Sequence, residues 1–184
     1  MEEKTVRDLM VPLGQYACIP EDATLYDAVV ALEEARKKHE GVPYTYRAVL
    51  VADKSGRVKG KVSLLDLLRS LEPKYGEMGD LRKVSGSDLS TEFLRSTVSA
   101  YDLWRTPLDD LCREAAQLKV GVITKSPLEG EFIDADASLN KGIHQLIMGR
   151  HQSLLVTSEG EIIGIFRLVD VFVEVGDRIK AFHK

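Results

Sequence analysis

Apolar positions along this chain follow two spacings, one typical of strands and one of helices. Residues 16–19 form a short apolar stretch that predicts a strand. Thr24, with Asp27 three residues later, is a capping-box pattern, so a helix is predicted to begin there. The apolar residues that follow recur every three or four positions and give this helix one apolar face: Leu25, Ala28, Val29 and Leu32.

A hairpin and a second helix are predicted next. Residues 48–52 and 58–62 are apolar runs joined by a turn at Asp53-Lys54-Ser55-Gly56, where the glycine is free to adopt positive φ. Another helix begins near Ser63, with four leucines as its apolar residues: Leu64, Leu65, Leu67 and Leu68. The predicted order is β-α-β-β-α.

The second half of the chain predicts the same order. Strands are expected at residues 131–133, 153–157 and 162–166, with a turn at Glu159-Gly160. A last helix continues through Val169, Val171 and Phe172. The fold class predicted from the pattern is therefore α/β with an internal duplication.

The duplication is also visible residue by residue. A shift of 114 positions lays residues 6–32 on residues 120–146 without a gap, so that Asp22-Ala23-Thr24-Leu25 meets Asp136-Ala137-Ser138-Leu139. The register then slips by nine residues, because the first copy carries extra residues around positions 37–46. After a further slip of one residue, the alignment places Gly56, Gly60 and Asp66 on Gly160, Gly164 and Asp170, respectively.

The segment between the two copies has a different character. Residues 75–90 are rich in Gly, Ser and charge and are predicted to be irregular. Ser90-Thr91-Glu92 is predicted to open one helix, and Thr106 to cap another that has Pro107 in its first turn. Trp104 is expected to anchor this insert. We therefore divide the chain into residues 1–71, an insert at 72–118, and residues 119–184.

Composition narrows the classes of function. The 184 residues carry 25 basic and 29 acidic side chains, which gives a net charge of −4. This balance provides no excess of positive charge to bind a phosphate backbone, so nucleic acid is not expected to be a partner. Apolar runs are too short to span a membrane, and the acidic start lacks a signal-peptide core. Cys18 and Cys112 are expected to be buried reduced thiols. We expect a cytoplasmic protein.

The repeated residues resemble a tandem pair of cystathionine-β-synthase (CBS) domains. The resemblance covers residues 5–71, the first repeat, and residues 119–175, the second repeat. It rests on motifs such as Val6-Arg7-Asp8-Leu9-Met10-Val11-Pro12 and Ile19-Pro20-Glu21-Asp22-Ala23-Thr24-Leu25. Most telling are Gly60-Lys61-Val62-Ser63-Leu64-Leu65-Asp66 and its partner Gly164-Ile165-Phe166-Arg167-Leu168-Val169-Asp170.

The resemblance implies a pseudo-twofold pair of repeats with two clefts between them. Such pairs often form homodimers, and their ligands are adenosine compounds, so AMP, ADP, ATP or S-adenosylmethionine is the expected ligand; no cofactor or metal is expected. By resemblance, Asp66 holds the ribose and Ser63 lies near the phosphate. Val62, Tyr16 and Ala17 are candidates for the base slot, and Arg47 precedes a strand where it is placed to meet a phosphate.

The same residues have a purely structural interpretation. Ser63 and Asp66 form a helix cap with an acid in the first turn, which stabilises a helix without any ligand. In the second repeat Arg167 replaces the serine while Asp170 remains. Arg167 is expected either to fill its cleft by pairing with Asp170 or to supply a cation for a phosphate. His151 is a candidate for facing the phosphates or is a surface histidine.

Two classes of function are consistent with these patterns. Catalysis is not expected, because the sequence has no nucleophile elbow, phosphate-binding glycine loop or metal-ligand spacing. The first hypothesis is a stand-alone regulatory protein that binds an adenosine nucleotide between its repeats and signals occupancy to a partner. The alternative is a dimerisation or docking protein that keeps the scaffold but binds no ligand. The insert is the natural reporter under the first hypothesis, and under the alternative the association of the dimer is expected to depend on the insert.

Overall fold

The computed structural model describes residues 4–38, 46–76 and 90–182. Its strands are β1 (Val11–Pro12), β2 (Cys18–Pro20), β3 (Ala48–Ala52), β4 (Val58–Ser63), β5 (Phe132–Asp134), β6 (Ser153–Ser158) and β7 (Glu161–Arg167). Its helices are α1 (Leu25–Lys38), α2 (Leu64–Ser70), α3 (Thr91–Ala100), α4 (Leu108–Ala115), α5 (Val120–Ile123), α6 (Leu139–Gly149) and α7 (Leu168–Ala181). Short 3₁₀ turns occupy Leu13–Gln15, Pro73–Gly76 and Glu129–Glu131.

The strands form two sheets, one for each repeat. In the first sheet β3 lies between β2, which it pairs in parallel, and β4, which it pairs antiparallel. The second sheet repeats this arrangement with β6 between β5 and β7, and adds β1 alongside β7. Both predicted hairpins, and the β-α-β-β-α order of each repeat, are confirmed. The fold is α/β with two repeats, as expected.

The first strand of each repeat begins later than its apolar stretch. Tyr16 is already extended, at φ −109° and ψ 147°, but pairing with β3 begins at Cys18. The 3₁₀ turn Leu13–Gln15 directly precedes it and offsets the start of the strand. The second repeat has the same turn, Glu129–Glu131, before β5.

The capping box predicted at the start of α1 is present. The Thr24 amide donates to Asp27 Oδ2 over 2.7 Å, and the Asp27 amide donates to Thr24 Oγ1 over 3.2 Å. Ser138, the equivalent of Thr24, caps α6 by accepting from the Lys141 amide over 3.3 Å. Both helices therefore begin with a hydroxyl cap, and the first adds the reciprocal bond of a capping box.

The leading segment of each repeat packs against the other repeat. The Val6 amide donates to the Ala137 carbonyl over 2.9 Å, and the Val120 amide donates to the Ala23 carbonyl over 2.9 Å. Val6 belongs to the core of the second sheet and Val120 to the core of the first. The leading segments of the two repeats are thereby exchanged, because each contributes to the core of the opposite repeat. Neither core is complete without the other repeat.

Two glycines permit this exchange. A Cβ on Gly60 would lie 2.8 Å from the Lys125 carbonyl oxygen, and a Cβ on Gly164 would lie 2.7 Å from the Val11 carbonyl oxygen. Gly60 and Gly164 are equivalent positions, and the backbones that meet them are equivalent too. Both glycines let a backbone segment from the start of the opposite repeat approach the sheet more closely than any side chain would allow.

The insert is fixed to the end of the first repeat. Helix α3 starts as predicted, with Ser90 Oγ accepting from the Phe93 amide over 3.1 Å. The prediction that Thr106 caps α4 is wrong, because that helix begins at Leu108 with Pro107 at the cap position and no side-chain hydrogen bond there. Of the segment 75–90 that is expected to be irregular, residues 77–89 lie outside the described residues.

Trp104 is bound to residues at the start of the insert, and its anchoring of the insert onto the core or a partner subunit stays a prediction. Its amide donates to the buried Glu72 carboxylate over 2.8 Å, and its Nε1 donates to the Tyr75 hydroxyl over 3.0 Å. Trp104 adopts φ +59°, a left-handed conformation that non-glycine residues seldom take. The Glu72 carboxylate therefore holds a strained turn against the end of the first repeat.

The exposure of the two cysteines and the lengths of the helices bear on two further expectations. Cys18 and Cys112 are free thiols, as expected, but both are exposed rather than buried. They lie on the outward positions of β2 and α4, and these short elements each bury only one side of their residues. Over the described ranges, none of the helices combines the length and hydrophobicity that crossing a bilayer requires.

Candidate ligand clefts between the repeats

A contact between two equivalent residues marks the axis that relates the repeats. Arg47 Nη1 donates to Gln152 Oε1 over 3.2 Å, and these residues precede β3 and β6 at equivalent positions. Their carbonyls have equivalent partners, since the Leu64 amide donates to Arg47 and the Leu168 amide to Gln152, both over 3.0 Å. Helices α2 and α7 thus both begin beside this axis, each next to one cleft.

The serine cleft is the one at the start of α2, lined by Ser63, Asp66, Lys61, Glu131 and His151. The Ser63 amide and hydroxyl donate to Asp66 Oδ2 over 2.9 and 2.5 Å, and the Asp66 amide donates back to Ser63 Oγ over 3.2 Å. This is a complete capping box. Asp66 Oδ1 has no hydrogen-bond partner among the residues that the structure describes.

Lys61 connects the serine cleft to the second repeat. It lies two residues before Ser63 on β4, so both side chains leave the same face of the strand. Lys61 Nζ donates to the Ser153 carbonyl over 2.8 Å and pairs with Glu131 Oε1 at 3.2 Å. Sequence reasoning missed this contact. The sequence did contain a sign of this contact. The residue equivalent to Lys61 in the second repeat is Ile165, so this position is charged in one repeat and apolar in the other.

The charges in the serine cleft keep Glu131 ionised. Burial by itself raises the pKa of the Glu131 carboxyl, but the hydrogen bond from the Leu128 amide and the charge of Lys61 bring that pKa below its ordinary value. His151 adds positive charge in the same direction. The His151 ring occupies a notch that only a glycine leaves, because a Cβ on Gly149 would lie 2.1 Å from His151 Nε2.

The arginine cleft lies on the other side of the axis, lined by Arg167, Asp170, Tyr16, Ala17 and Tyr46. Arg167 Nε and Nη2 donate to the two oxygens of Asp170, over 2.5 and 2.7 Å. The Arg167 guanidinium also lies 5.6 Å from the centre of the Tyr46 ring, within range of a cation–π contact. The expectation that Arg167 pairs with Asp170 is confirmed.

Two tyrosines of the first repeat form the opposite wall of the arginine cleft. The Tyr16 and Tyr46 rings lie 5.2 Å apart, and the Tyr46 hydroxyl donates to the Gln15 carbonyl over 3.2 Å. Burial raises the pKa of Tyr16 to about 12, and the nearby Arg167 charge offsets only part of this. Burial also raises the pKa of Tyr46. Both phenols are therefore neutral beside the ion pair.

The residues singled out from the sequence are divided between these clefts. Tyr16 and Ala17 lead into β2, whereas Ser63 lies on β4, on the far side of β3. The tyrosine and alanine therefore lie with Arg167 and Asp170 rather than with Ser63 and Asp66. Val62 is fully buried in the core of the first sheet, so its side chain lines neither cleft. Arg47 is at the axis and His151 in the serine cleft.

A depression beside the two tyrosines extends towards α1. It has a volume of about 450 Å³, within the range of small-molecule pockets. Its lining combines the tyrosine pair with the inner side of α1 and the turn before β2: Gly14, Gln15, Tyr16, Ala17, Cys18, Ala31, Glu34, Ala35 and Tyr46. The sequence offered no signal for it, because the lining residues come from separate segments of the first repeat.

Residues 6–73 match the family model described as CBS domain. Among curated protein sequences, none matches the chain. Solved structures match it over nearly the whole length. CBSX2 in complex with AMP is 21% identical, with 96% of this chain and 98% of that chain covered and a TM-score of 0.58. A CBS domain-containing protein of unknown function from Bacillus anthracis is 16% identical, with 95% and 94% covered and a TM-score of 0.60.

A third structure, an uncharacterized conserved protein from Pyrococcus horikoshii, is 15% identical, with 95% of each chain covered and a TM-score of 0.60. At these identities the likeness concerns the fold. The matched length includes nearly all of the chain.

Proposed function

We propose that this chain, whose residues 6–73 match the CBS-domain model and which folds as a tandem pair of repeats, is a stand-alone regulatory protein that binds an adenosine-type nucleotide between its repeats and signals occupancy to a partner. The AMP complex of the similar protein CBSX2 supports this choice of ligand. The observation that carries the proposal is the half-buried Asp66 carboxylate, which keeps Oδ1 free of partners among the described residues.

The serine cleft is our proposed nucleotide site. A ribose offers two adjacent hydroxyls, and a carboxylate oxygen without a protein partner accepts hydrogen bonds from them. Arg47 at the axis and His151 across the cleft are the proposed neighbours of the phosphate, because a cation or an imidazole favours an anionic group there. AMP, ADP, ATP and S-adenosylmethionine share the adenosine group that this site would hold.

A thermal-shift titration with these four compounds tests the proposal. A ligand at 100 times its dissociation constant adds about 2.7 kcal/mol to the stability of the folded state, so a saturable rise in Tm is expected for at least one of them. Asp66→Ala should remove this rise. Asp27→Ala is the matched control, because Asp27 has the same capping-box bonds at the start of α1, away from both clefts.

Each result has one meaning. Loss of the shift in Asp66→Ala but not in Asp27→Ala supports nucleotide binding at the serine cleft. An equal loss in both variants means that helix capping, rather than ligand contact, explains the effect. A saturable shift that survives in Asp66→Ala rejects the site. No shift with any of the four compounds favours the docking protein.

We also propose a second copy of this chain as a partner. Helices α2 and α7 expose large apolar side chains, with Leu68 60% and Phe172 70% exposed. These two residues are equivalent, so the two faces are related by the same axis as the repeats. A second copy would cover both faces by a symmetric contact.

Sedimentation measurements test this assembly. Leu68→Glu should raise the dissociation constant of the dimer, whereas Val122→Glu, at a residue 78% exposed on α5, should leave it unchanged. A dimer in which Leu68→Glu has no effect rejects this face as the interface. A dimer that forms through this face while every nucleotide fails to bind supports the alternative function, docking without a ligand.

A further inference from the structure

Arg167 stands where the first repeat has Ser63, and its environment differs accordingly. We propose that Arg167 is a built-in occupant of the arginine cleft, and that it limits the protein to one bound nucleotide per chain. This inference rests on the proposed function for the choice of ligand. It concerns the opposite cleft, however, and is tested separately.

The Asp170 carboxylate is fully engaged within the protein. Both Asp170 oxygens accept from the Arg167 guanidinium, one from Nε and one from Nη2, at 2.5 and 2.7 Å. In the serine cleft both bonds from Ser63 fall on one oxygen of Asp66. A ribose in the arginine cleft would have to displace a fork of two charge-assisted hydrogen bonds, whereas in the serine cleft one oxygen is left for it.

The ion pair between Arg167 and Asp170 is also largely buried. The Arg167 side chain is only 11% exposed and the Asp170 side chain 23% exposed. Tyr46 lies against the guanidinium with its ring centre 5.6 Å away, and Tyr16 lies beside Tyr46 at 5.2 Å. A ligand that took Asp170 would separate a largely buried ion pair, which is strongly unfavourable. Arg167 thus fills the space and satisfies the charge of this cleft.

The second repeat lacks the helix cap that Ser63 provides in the first repeat. Ser63 caps α2 through its hydroxyl, but α7 begins at Arg167 without a side-chain cap. Serine is a much better helix cap than arginine, so having Arg167 in place of a serine removes a stabilising contact at the start of α7. The fork to Asp170 and the contact with Tyr46 replace that local bond with contacts that reach across to the first repeat.

Isothermal titration with AMP tests the inference in the full chain. The wild-type protein should bind about one AMP per chain, and Arg167→Ser, which copies Ser63, should bind about two, with the first affinity unchanged within roughly twofold. Adding Asp170→Ala to Arg167→Ser should abolish the second site. Arg178→Ser is the control, because it removes another guanidinium from α7, one that is 50% exposed and paired with Glu174.

Several outcomes would overturn the inference. Wild-type protein that binds two AMP molecules, or Arg167→Ser that still binds one, would show that Arg167 does not close the cleft. A loss of AMP affinity in Arg167→Ser, with adenosine affinity unchanged, would instead make Arg167 a phosphate ligand. A cooperative thermal transition in Arg167→Ser confirms that the variant is folded.

The inference and the proposed function fail in different ways. If wild-type protein binds no AMP but Arg167→Ser binds one, and Asp170→Ala removes it, then the arginine cleft is closed by Arg167 while the serine cleft is not a nucleotide site. If neither protein binds any of the four adenosine compounds, both proposals are rejected. If wild-type AMP binding depends on Asp66 and Arg167→Ser adds no site, only the inference is rejected.

Discussion

Val6 and Val120 are equivalent residues of the two repeats, and each is fully buried in the core of the opposite repeat. Val6 packs with Ile133, Leu154 and Phe166 of the second repeat, whereas Val120 belongs to the first-repeat core. Separating the repeats would expose both valines and open both cores. The pair of repeats is therefore a single cooperative unit rather than two domains joined by an insert.

Val6→Ala and Val120→Ala should each lower the free energy of unfolding by about 2 kcal/mol, because each leaves a cavity in a fully packed site. Their local effects should be crossed. Hydrogen exchange should quicken in β5–β7 for Val6→Ala and in β2–β4 for Val120→Ala. Val122→Ala, at a residue 78% exposed, serves as the control. Faster exchange confined to the mutated residue's own repeat would contradict the exchanged packing.

The two cores fill one equivalent space in different ways. Ala28 and Val62 stand in the first repeat where Gly142 and Phe166 stand in the second. A Cβ on Gly142 would lie 2.8 Å from Phe166 Cε1. Gly142→Ala gains helix propensity of about 1 kcal/mol but incurs overpacking of about 1–3 kcal/mol, so it should be neutral to destabilising.

The same substitution should change sign when the ring is removed. In a Phe166→Val background, Gly142→Ala should stabilise by up to about 1 kcal/mol, because the helix gain remains and the clash with the ring is gone, which leaves Val6 Cγ2 at 3.2 Å from the added Cβ. Gly176→Ala is the matched control, since Gly176 is inside α7 with nothing within 4 Å of an added Cβ. Chemical denaturation of the double-mutant cycle measures the coupling. Equal effects in both backgrounds would contradict the contact.

Glu72→Ala should release the turn that contains Trp104. The buried carboxylate accepts from the Trp104 amide over 2.8 Å, and its loss leaves that amide without its partner in a strained, left-handed residue. We expect a loss of about 1–3 kcal/mol in stability. Trp104 is the one tryptophan in the sequence, so its fluorescence should shift to longer wavelength.

Glu92→Ala, at an exposed residue in the first turn of α3, is the control for that experiment. It should leave the emission of Trp104 unchanged. If Glu72→Ala also leaves the emission unchanged, Glu72 does not hold the turn.

Alkaline pH should destabilise the protein through Tyr16. Burial raises the pKa of Tyr16 from 10.0 to about 12 in the folded state, so the folded protein keeps a proton that the unfolded chain loses. Stability should therefore fall as pH rises from 10 towards 12. In Tyr16→Phe this part of the loss should disappear, as measured by denaturation at several pH values.

Tyr26→Phe is the control for the alkaline experiment, since Tyr26 is 63% exposed. Absorbance of tyrosinate at alkaline pH should show one fewer late-titrating group in Tyr16→Phe than in Tyr26→Phe. An identical stability profile in both variants would mean that folding does not raise the pKa of Tyr16.

Much of the fold was predictable because its signals are local. The hairpin turns at Gly56 and Gly160, the caps at Thr24 and Ser138, and the 3.6-residue spacing of α1 depend on residues fewer than five positions apart. The duplication reinforced each local pattern by supplying it twice. Strand starts were less accurate, because the 3₁₀ turns before β2 and β5 leave no apolar spacing to recognise.

The sequence by itself determined which elements form, their order, and the presence of Ser63, Asp66, Arg167 and Asp170 at two equivalent helix starts. Only the tertiary structure decided how these residues are shared between clefts. The fork from Arg167 to Asp170 spans three residues, but the contact of Arg167 with Tyr46 and the Lys61–Glu131 pair join the two halves of the chain. Such contacts depend on the crossing of the repeats and the close approach at Gly60 and Gly164, which no local spacing specifies.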